Sequence, residues 1–190
     1  LVQDGRDLQS EIEKIQKYQV AYRKLMEDYK AQGALSVYDA GFIDLDKQFW
    51  TIGINGMAEA AEFSGITASN NQAYKDFVSS KLKVIYQANQ AAKKQYGYMF
   101  NTEFVPAENL GVKNAKWDRK DGYQVTRDCY NSYFYLVEDN DTNHLDKFVL
   151  HGKEITQYLD GGSALHLNLD EALSAQAYLK LFNVAAATGC

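Results

Sequence analysis

The chain has 190 residues, 46% hydrophobic and 24% charged, with a net charge of −5 and a pI near 5.2. That profile suits a globular chain with a sizeable core; it excludes intrinsic disorder and argues against a surface built mainly to bind nucleic acid. No apolar run approaches the ~20 residues of a membrane span, and residues 1–7 carry no basic-then-apolar export signal. Two cysteines, Cys129 and Cys190, form no CxxC pair, so the expected setting is reducing and cytoplasmic, without a disulfide framework or a self-contained zinc site.

Residues 8–31 read as a long helix. Leu8, Ile12, Ile15, Tyr22, Leu25, Met26 and Tyr29 recur at helical spacing, a stripe expected to pack on a neighbour. Glu13 precedes Lys17 by four, the better order for a surface ion pair, and Gly33 stands in the C′ place. Residues 35–46 are irregular. Residues 49–54 are an apolar, β-rich run and 57–63 a helix former's sequence, so Thr51 to Gly56 is a strand–turn–helix junction. Its glycines serve close strand–helix packing or, alternatively, a ligand's approach to the backbone.

Residues 71–95 predict a second long helix with Tyr74, Phe77, Val78, Leu82 and Ile85 on its apolar face. A strand over 98–105 follows. It is ended by Pro106, the one proline, where average usage of about 5% would give about nine or ten. A helix then runs through about Trp117, and 118–122 is a charged turn. Residues 131–138 predict an aromatic strand, 141–159 mostly helix, 161–169 a strand and 175–187 a last helix ending at Gly189. Strands alternating with helices predict an α/β fold with a mostly parallel sheet or barrel, in a single domain over 1–190.

In such folds ligands bind where strands end and helices begin. Three loops there carry chemistry. In the first, Pro106, Ala107, Glu108, Asn109, Leu110 and Gly111 open a helix whose unpaired N–H groups suit a phosphate, while Glu108 acting as a cap is the alternative. The second gathers Arg127, Asp128, Cys129, Tyr130, Asn131 and Ser132. Arg127 near Cys129 would favour a reactive thiolate; a small packed hydrophobe is the favoured role for Cys129, the one catalytic candidate. In the third, Ala164, His166 and Asn168 alternate with Leu165, Leu167 and Leu169, as in a strand lining a pocket or an edge strand facing water. No histidine or cysteine stands at ligand spacing from His166.

Taken together, residues 38–43, 52–59, 100–114, 127–135, 150–152 and 160–169 resemble the catalytic subunit of class III, oxygen-sensitive anaerobic ribonucleoside-triphosphate reductase. The resemblance runs over most of residues 20–190 and is weakest across 1–19 and 67–94. It implies the later strands of a ten-stranded α/β barrel of the ribonucleotide reductase and glycyl radical enzyme type. It also implies ribonucleotide reduction by glycyl and thiyl radicals: the thiyl removes the ribose 3′ hydrogen and the 2′ hydroxyl leaves as water. By that resemblance Pro106 to Gly111 receive the substrate triphosphate, and Tyr130, Asn131 and Ser132 border the nucleotide pocket.

The implied partners are a nucleoside triphosphate, the rest of a parent chain, a second parent subunit and an iron–sulfur activase using S-adenosylmethionine. The glycyl radical, a structural zinc cluster and the thiyl-forming cysteine are expected outside residues 1–190, with no cofactor inside them. Leu1 in place of a methionine, and a stop directly after a helical pattern, give the expectation of an internal piece inactive alone and prone to self-pairing along cut strand edges. The contrasting reading is a non-catalytic α/β nucleotide-binding or assembly module that lost the radical chemistry.

Overall fold

A computed structural model describes residues 1–104, 106–136, 142–169 and 171–190. Helix α1 spans Leu8–Ala31, capped by Asp7, whose carboxylate accepts from Ser10 N–H. A short helix α2 (Ser36–Asp39) and a 3₁₀ turn (Leu45–Lys47) lead into strand β1 (Phe49–Gly53). Helix α3 (Met57–Phe63) and helix α4 (Gln72–Tyr96) carry the chain back to strand β2 (Met99–Phe104). Helix α5 (Glu108–Lys120), α6 (His144–Leu150) and α7 (Lys153–Thr156) precede the two-residue strand β3 (Gly162–Ser163) and helix α8 (Ala175–Thr188).

The strands form one parallel sheet in the order β1–β2–β3, with Phe49 opposite Met99 and Glu103 opposite Gly162. Parallel pairing needs helical crossovers, which fits the alternation in the sequence. Helices α1 and α4 cover one face of the sheet. Ile12, Ile52, Ile85 and Ala88 make one buried cluster there, and Val20, Ala92 and Phe100 another. The other face carries Thr51, whose hydroxyl donates to Asn101 Oδ1 at 2.6 Å. A third, larger cluster joins α3 and α4 to Phe104, Tyr133, Phe134, Tyr135, Leu150 and Ile155.

The structure corrects the reading of α1. Its buried stripe is Ile12, Gln16, Val20 and Arg23, while Ile15, Tyr22, Leu25 and Tyr29 are exposed. Two polar residues choose that stripe. Gln16 Nε2 donates to Asn89 Oδ1 (2.8 Å), and Asn89 Nδ2 donates to Thr102 Oγ1 (3.0 Å), a buried bridge from α1 through α4 to β2. Arg23 pairs with Glu27 and Asp46, donates to the Leu45 carbonyl and lies over the Tyr98 ring. A buried polar group is tolerated only when so satisfied. Glu13 accepts from Gln9 instead of pairing with Lys17.

Two expected strands also differ. Residues 131–136 form no strand: Tyr133, Phe134 and Tyr135 are all buried, which an alternating strand facing one core would not allow. Phe134 stacks on Phe104 with centroids 4.2 Å apart, and Tyr133 stacks on Tyr135 at 5.4 Å. The expected strand over 161–169 is paired only at Gly162–Ser163. Beyond it, the Tyr135 hydroxyl donates to the His166 carbonyl and accepts from His166 N–H, so this segment is tied to a side chain instead of a neighbouring strand. Val105, Val137, Glu138 and Asp141, which the sequence reading placed at element ends, lie outside the described residues. No described helix is long and apolar enough to cross a membrane.

His151 is 1% exposed, with its ring against the edges of Phe134 and Tyr135, and neither ring nitrogen has a hydrogen-bond partner. Burial lowers its pKa from 6.5 to about 4. The unfolded chain therefore takes up this proton near pH 6.5 and the folded chain only near 4, so the folded state loses stability as pH falls through that window. Urea unfolding of the unsubstituted chain and of His151→Leu should show it. Between pH 7 and pH 5 the unsubstituted chain should lose roughly 2 kcal/mol more than the variant. Parallel pH profiles would show that His151 is not held neutral.

Candidate functional site

All three parallel strands end on the same side of the sheet, so the turn at 54–56, the connection into α5 and residues 164–169 begin there. Gly56, the N-cap of α3, has φ +78°, and a Cβ there would lie 3.5 Å from the Tyr130 ring. This left-handed turn presents Asn55 and Glu59 to residues 129–132. Asn55 Nδ2 donates to Ser132 Oγ (2.9 Å) and to the Tyr130 carbonyl (3.2 Å). Glu59 Oε1 accepts from the backbone N–H (3.0 Å) and the side-chain Nδ2 (2.8 Å) of Asn131. Gly56 N–H donates to the Asn131 carbonyl at 2.9 Å.

The same segment reaches α5. Ala107, its N-cap, donates its N–H to Ser132 Oγ at 3.0 Å, and no side chain caps the helix start. Helices α1, α4 and α8 do have side-chain caps, from Asp7, Asn71 and Ser174. Glu108 is the first helical residue, exposed, and so acts on the helix dipole without a capping hydrogen bond. Asn109 and Leu110 are exposed as well.

Gly111 lies within α5, and its φ is not among the positive ones. A Cβ on it would stand 2.5 Å from the Tyr130 carbonyl oxygen and 3.0 Å from Cys129 Sγ. The close approach it permits is that of residues 129–130, whose Tyr130 N–H donates to the Gly111 carbonyl at 3.3 Å. Cys129 Sγ lies 3.5 Å from the Glu108 carbonyl and is half-buried. The first two predicted loops are thus one unit. The third is tied through the His166 backbone to Tyr135 and through Asp160 to β2, where Asp160 accepts from Thr102 N–H and pairs with Lys93; the His166 and Asn168 side chains are exposed and bonded to each other at 2.8 Å.

The Tyr130 hydroxyl donates to Asp118 Oδ2 at 2.7 Å; burial and then that carboxylate push its pKa up. Arg127 grips Glu62 with both Nη atoms (2.5 and 2.8 Å) and brings Nη1 to 3.7 Å from Glu59 Oε1. Asn55, Glu59, Glu62 and Asp118 were not singled out as site residues in the sequence. Their signal was the Asn55-Gly56 turn and a carboxylate at 59 among small apolar residues. A cavity of about 620 Å³ adjoins the junction, walled partly by Asn55, Glu59, Glu62, Asp118 and Tyr130; residues 106–111 are not among its walls.

The sequence model of anaerobic ribonucleoside-triphosphate reductase matches residues 5–190. The chain belongs to that family. A Thermotoga maritima anaerobic ribonucleotide reductase with citrate in its active site superposes with a TM-score of 0.85 at 26% identity, over 96% of this chain and 34% of that one. The same organism's reductase in complex with dATP and CTP gives 0.86 at 26%, over 96% and 30%. A further anaerobic ribonucleotide reductase gives 0.88 at 27%, over 96% and 30%. The chain therefore spans about a third of the length of these reductases. No curated protein matches it. This reductase-family chain shares its α/β fold with those anaerobic ribonucleotide reductases.

Gly111→Ala should destabilise the chain. Alanine gains about 1 kcal/mol over glycine in a helix, but overpacking against backbone costs typically 1–3 kcal/mol, and the Tyr130 carbonyl cannot swing aside as a flexible side chain would. A net loss of about 1 kcal/mol, and up to about 2, is expected in chemical denaturation. A more stable Gly111→Ala chain would show that the 129–130 segment does not lie against α5.

Proposed function

We propose that residues 1–190 supply the substrate-holding part of an α/β barrel in an anaerobic ribonucleoside-triphosphate reductase, with the start of α5 receiving the substrate triphosphate. The observation that carries this reading is the joining of 106–111, 129–132 and 54–59 by hydrogen bonds where parallel strands end. Ligands of open α/β sheets bind at that end. The complex of a Thermotoga maritima relative with dATP and CTP supports a nucleotide as the ligand.

Charge decides where the triphosphate goes. The cavity walls carry the carboxylates of Asp4, Glu59, Glu62 and Asp118 against Arg6 and Lys81, and Arg127 is held by Glu62. A polyanion is disfavoured there. The start of α5 offers backbone N–H groups, no capping side chain and the positive end of a 13-residue helix dipole. Residues 129–132 then border the sugar side, with Tyr130, Asn131 and Ser132 held in place by Asp118, Glu59 and Asn55. Cys129 takes a packing role beside Gly111.

The glycyl radical and the zinc that the family resemblance implies are assigned in this proposal to the rest of the reductase. Among the described residues no three or more His, Cys, Asp or Glu side chains are grouped to hold a metal ion. The proposal therefore gives this chain binding and orientation, and routes no radical or metal step through it. A second subunit and an iron–sulfur activase belong to the proposal at the level of the whole reductase.

Backbone amides at one helix start provide modest affinity, with a Kd on the order of 1 mM, about 4 kcal/mol. NMR titration of the chain with CTP should move the amides of Glu108, Asn109 and Leu110. The capped starts of α4 and α8 should stay unmoved. Shifts confined to the cavity walls or to the capped helices would overturn the assignment.

A further inference from the structure

Glu59 touches none of the α5 amides, yet it holds the segment that does. We infer that Glu59 is the positioning residue that sets the α5 start for its ligand, acting through Asn131 and Ser132; the inference rests on the functional reading above. One carboxylate oxygen, Oε1, accepts from both the backbone N–H and the side-chain Nδ2 of Asn131, fixing that residue's backbone and rotamer together. Gly56 N–H on the Asn131 carbonyl closes the link to the first turn of α3. The next residue, Ser132, is 3% exposed and holds the Ala107 N–H. The N-cap of α5 is thus two residues and two hydrogen-bonded contacts from Glu59.

The Glu59 side chain is 9% exposed, so water competes little for its oxygens, and bonds to a charged acceptor are about twice as strong as neutral ones. Arg127, already gripped by Glu62, sits near enough to offset the buried charge. A neutral side chain that keeps the accepting oxygen would preserve the geometry; a truncated one would remove both of these hydrogen bonds from Asn131.

The test is titration of the 190-residue chain with CTP and, separately, with inorganic tripolyphosphate, read at the amides of Glu108, Asn109 and Leu110. Glu59→Ala should weaken both ligands by about tenfold or more, and Glu59→Gln should stay within about threefold of the unsubstituted chain. Val20→Ala, a truncation in the separate cluster between α1 and the sheet, is the stability control: it should melt earlier and bind unchanged. Unchanged affinity in Glu59→Ala, or an equal loss in Val20→Ala, overturns the positioning role. If Glu59→Ala does not fold, Ser132→Ala carries the test. It removes the hydroxyl that holds Ala107, the same loss is expected, and full affinity overturns the inference. If the unsubstituted chain binds neither ligand, the functional reading itself fails and this inference with it.

Discussion

One hydroxyl oxygen, Ser132 Oγ, accepts from Asn55 Nδ2 and from Ala107 N–H. The two donors belong to different crossover connections, one after β1 and one after β2. Losing this acceptor would leave Asn55 with the Tyr130 carbonyl alone and take from the Ala107 N–H its buried partner, at a cost of about 1–3 kcal/mol for an unsatisfied group. The constraint also explains why residues 131–136 need no strand pairing. Their backbone is placed by contacts to Asn55, Gly56 and Glu59, and their side chains by aromatic stacking on Phe104 and His151.

The two faces of the sheet divide the work. The face under α1 and α4 is closed by apolar clusters and one polar bridge, Gln16–Asn89–Thr102. That bridge fixes the rotation of α1 because a helix turned by one residue would bury an unpaired amide. The consequence is that Ile15, Tyr18, Tyr22, Leu25 and Tyr29 stay exposed although they are apolar. The opposite face keeps a polar pair, Thr51 and Asn101, in the row that leads toward the ends of the strands where the candidate site lies. Core and site are thereby built on the same two strands without competing for the same side chains.

The electrostatics of the site follow the same economy. Each carboxylate near the junction has a defined partner: Asp118 takes the Tyr130 hydroxyl, Glu62 takes Arg127 and Glu59 takes Asn131. The cation of this network, Arg127, is paired with Glu62. The anion-compatible element is the helix backbone itself, whose field does not depend on a side chain's rotamer.

Local pattern alone determined much of this protein. The spans of α1, α3 and α4, the β1 turn into α3, and the break at Pro106 were legible because periodicity, glycine and proline act within a few residues. The two loops of the candidate site, 106–111 and 129–132, were legible as chemistry and through the family resemblance. What only the tertiary structure decided were choices between locally equivalent options. The stripe of α1 that is buried was set by Asn89 on another helix, 73 residues away from Gln16. The aromatic run at 133–135 alternates no better than it clusters, and Phe104 and His151 decided for a packed loop. Glu59 looks like an ordinary helix-surface carboxylate in sequence, and Gly111 like a phosphate-loop glycine; their partners, Asn131 and Tyr130, come from a segment that folding alone brings alongside. Sequence carries the short-range preferences of each residue, whereas burial and hydrogen-bond satisfaction are settled between residues far apart in the chain.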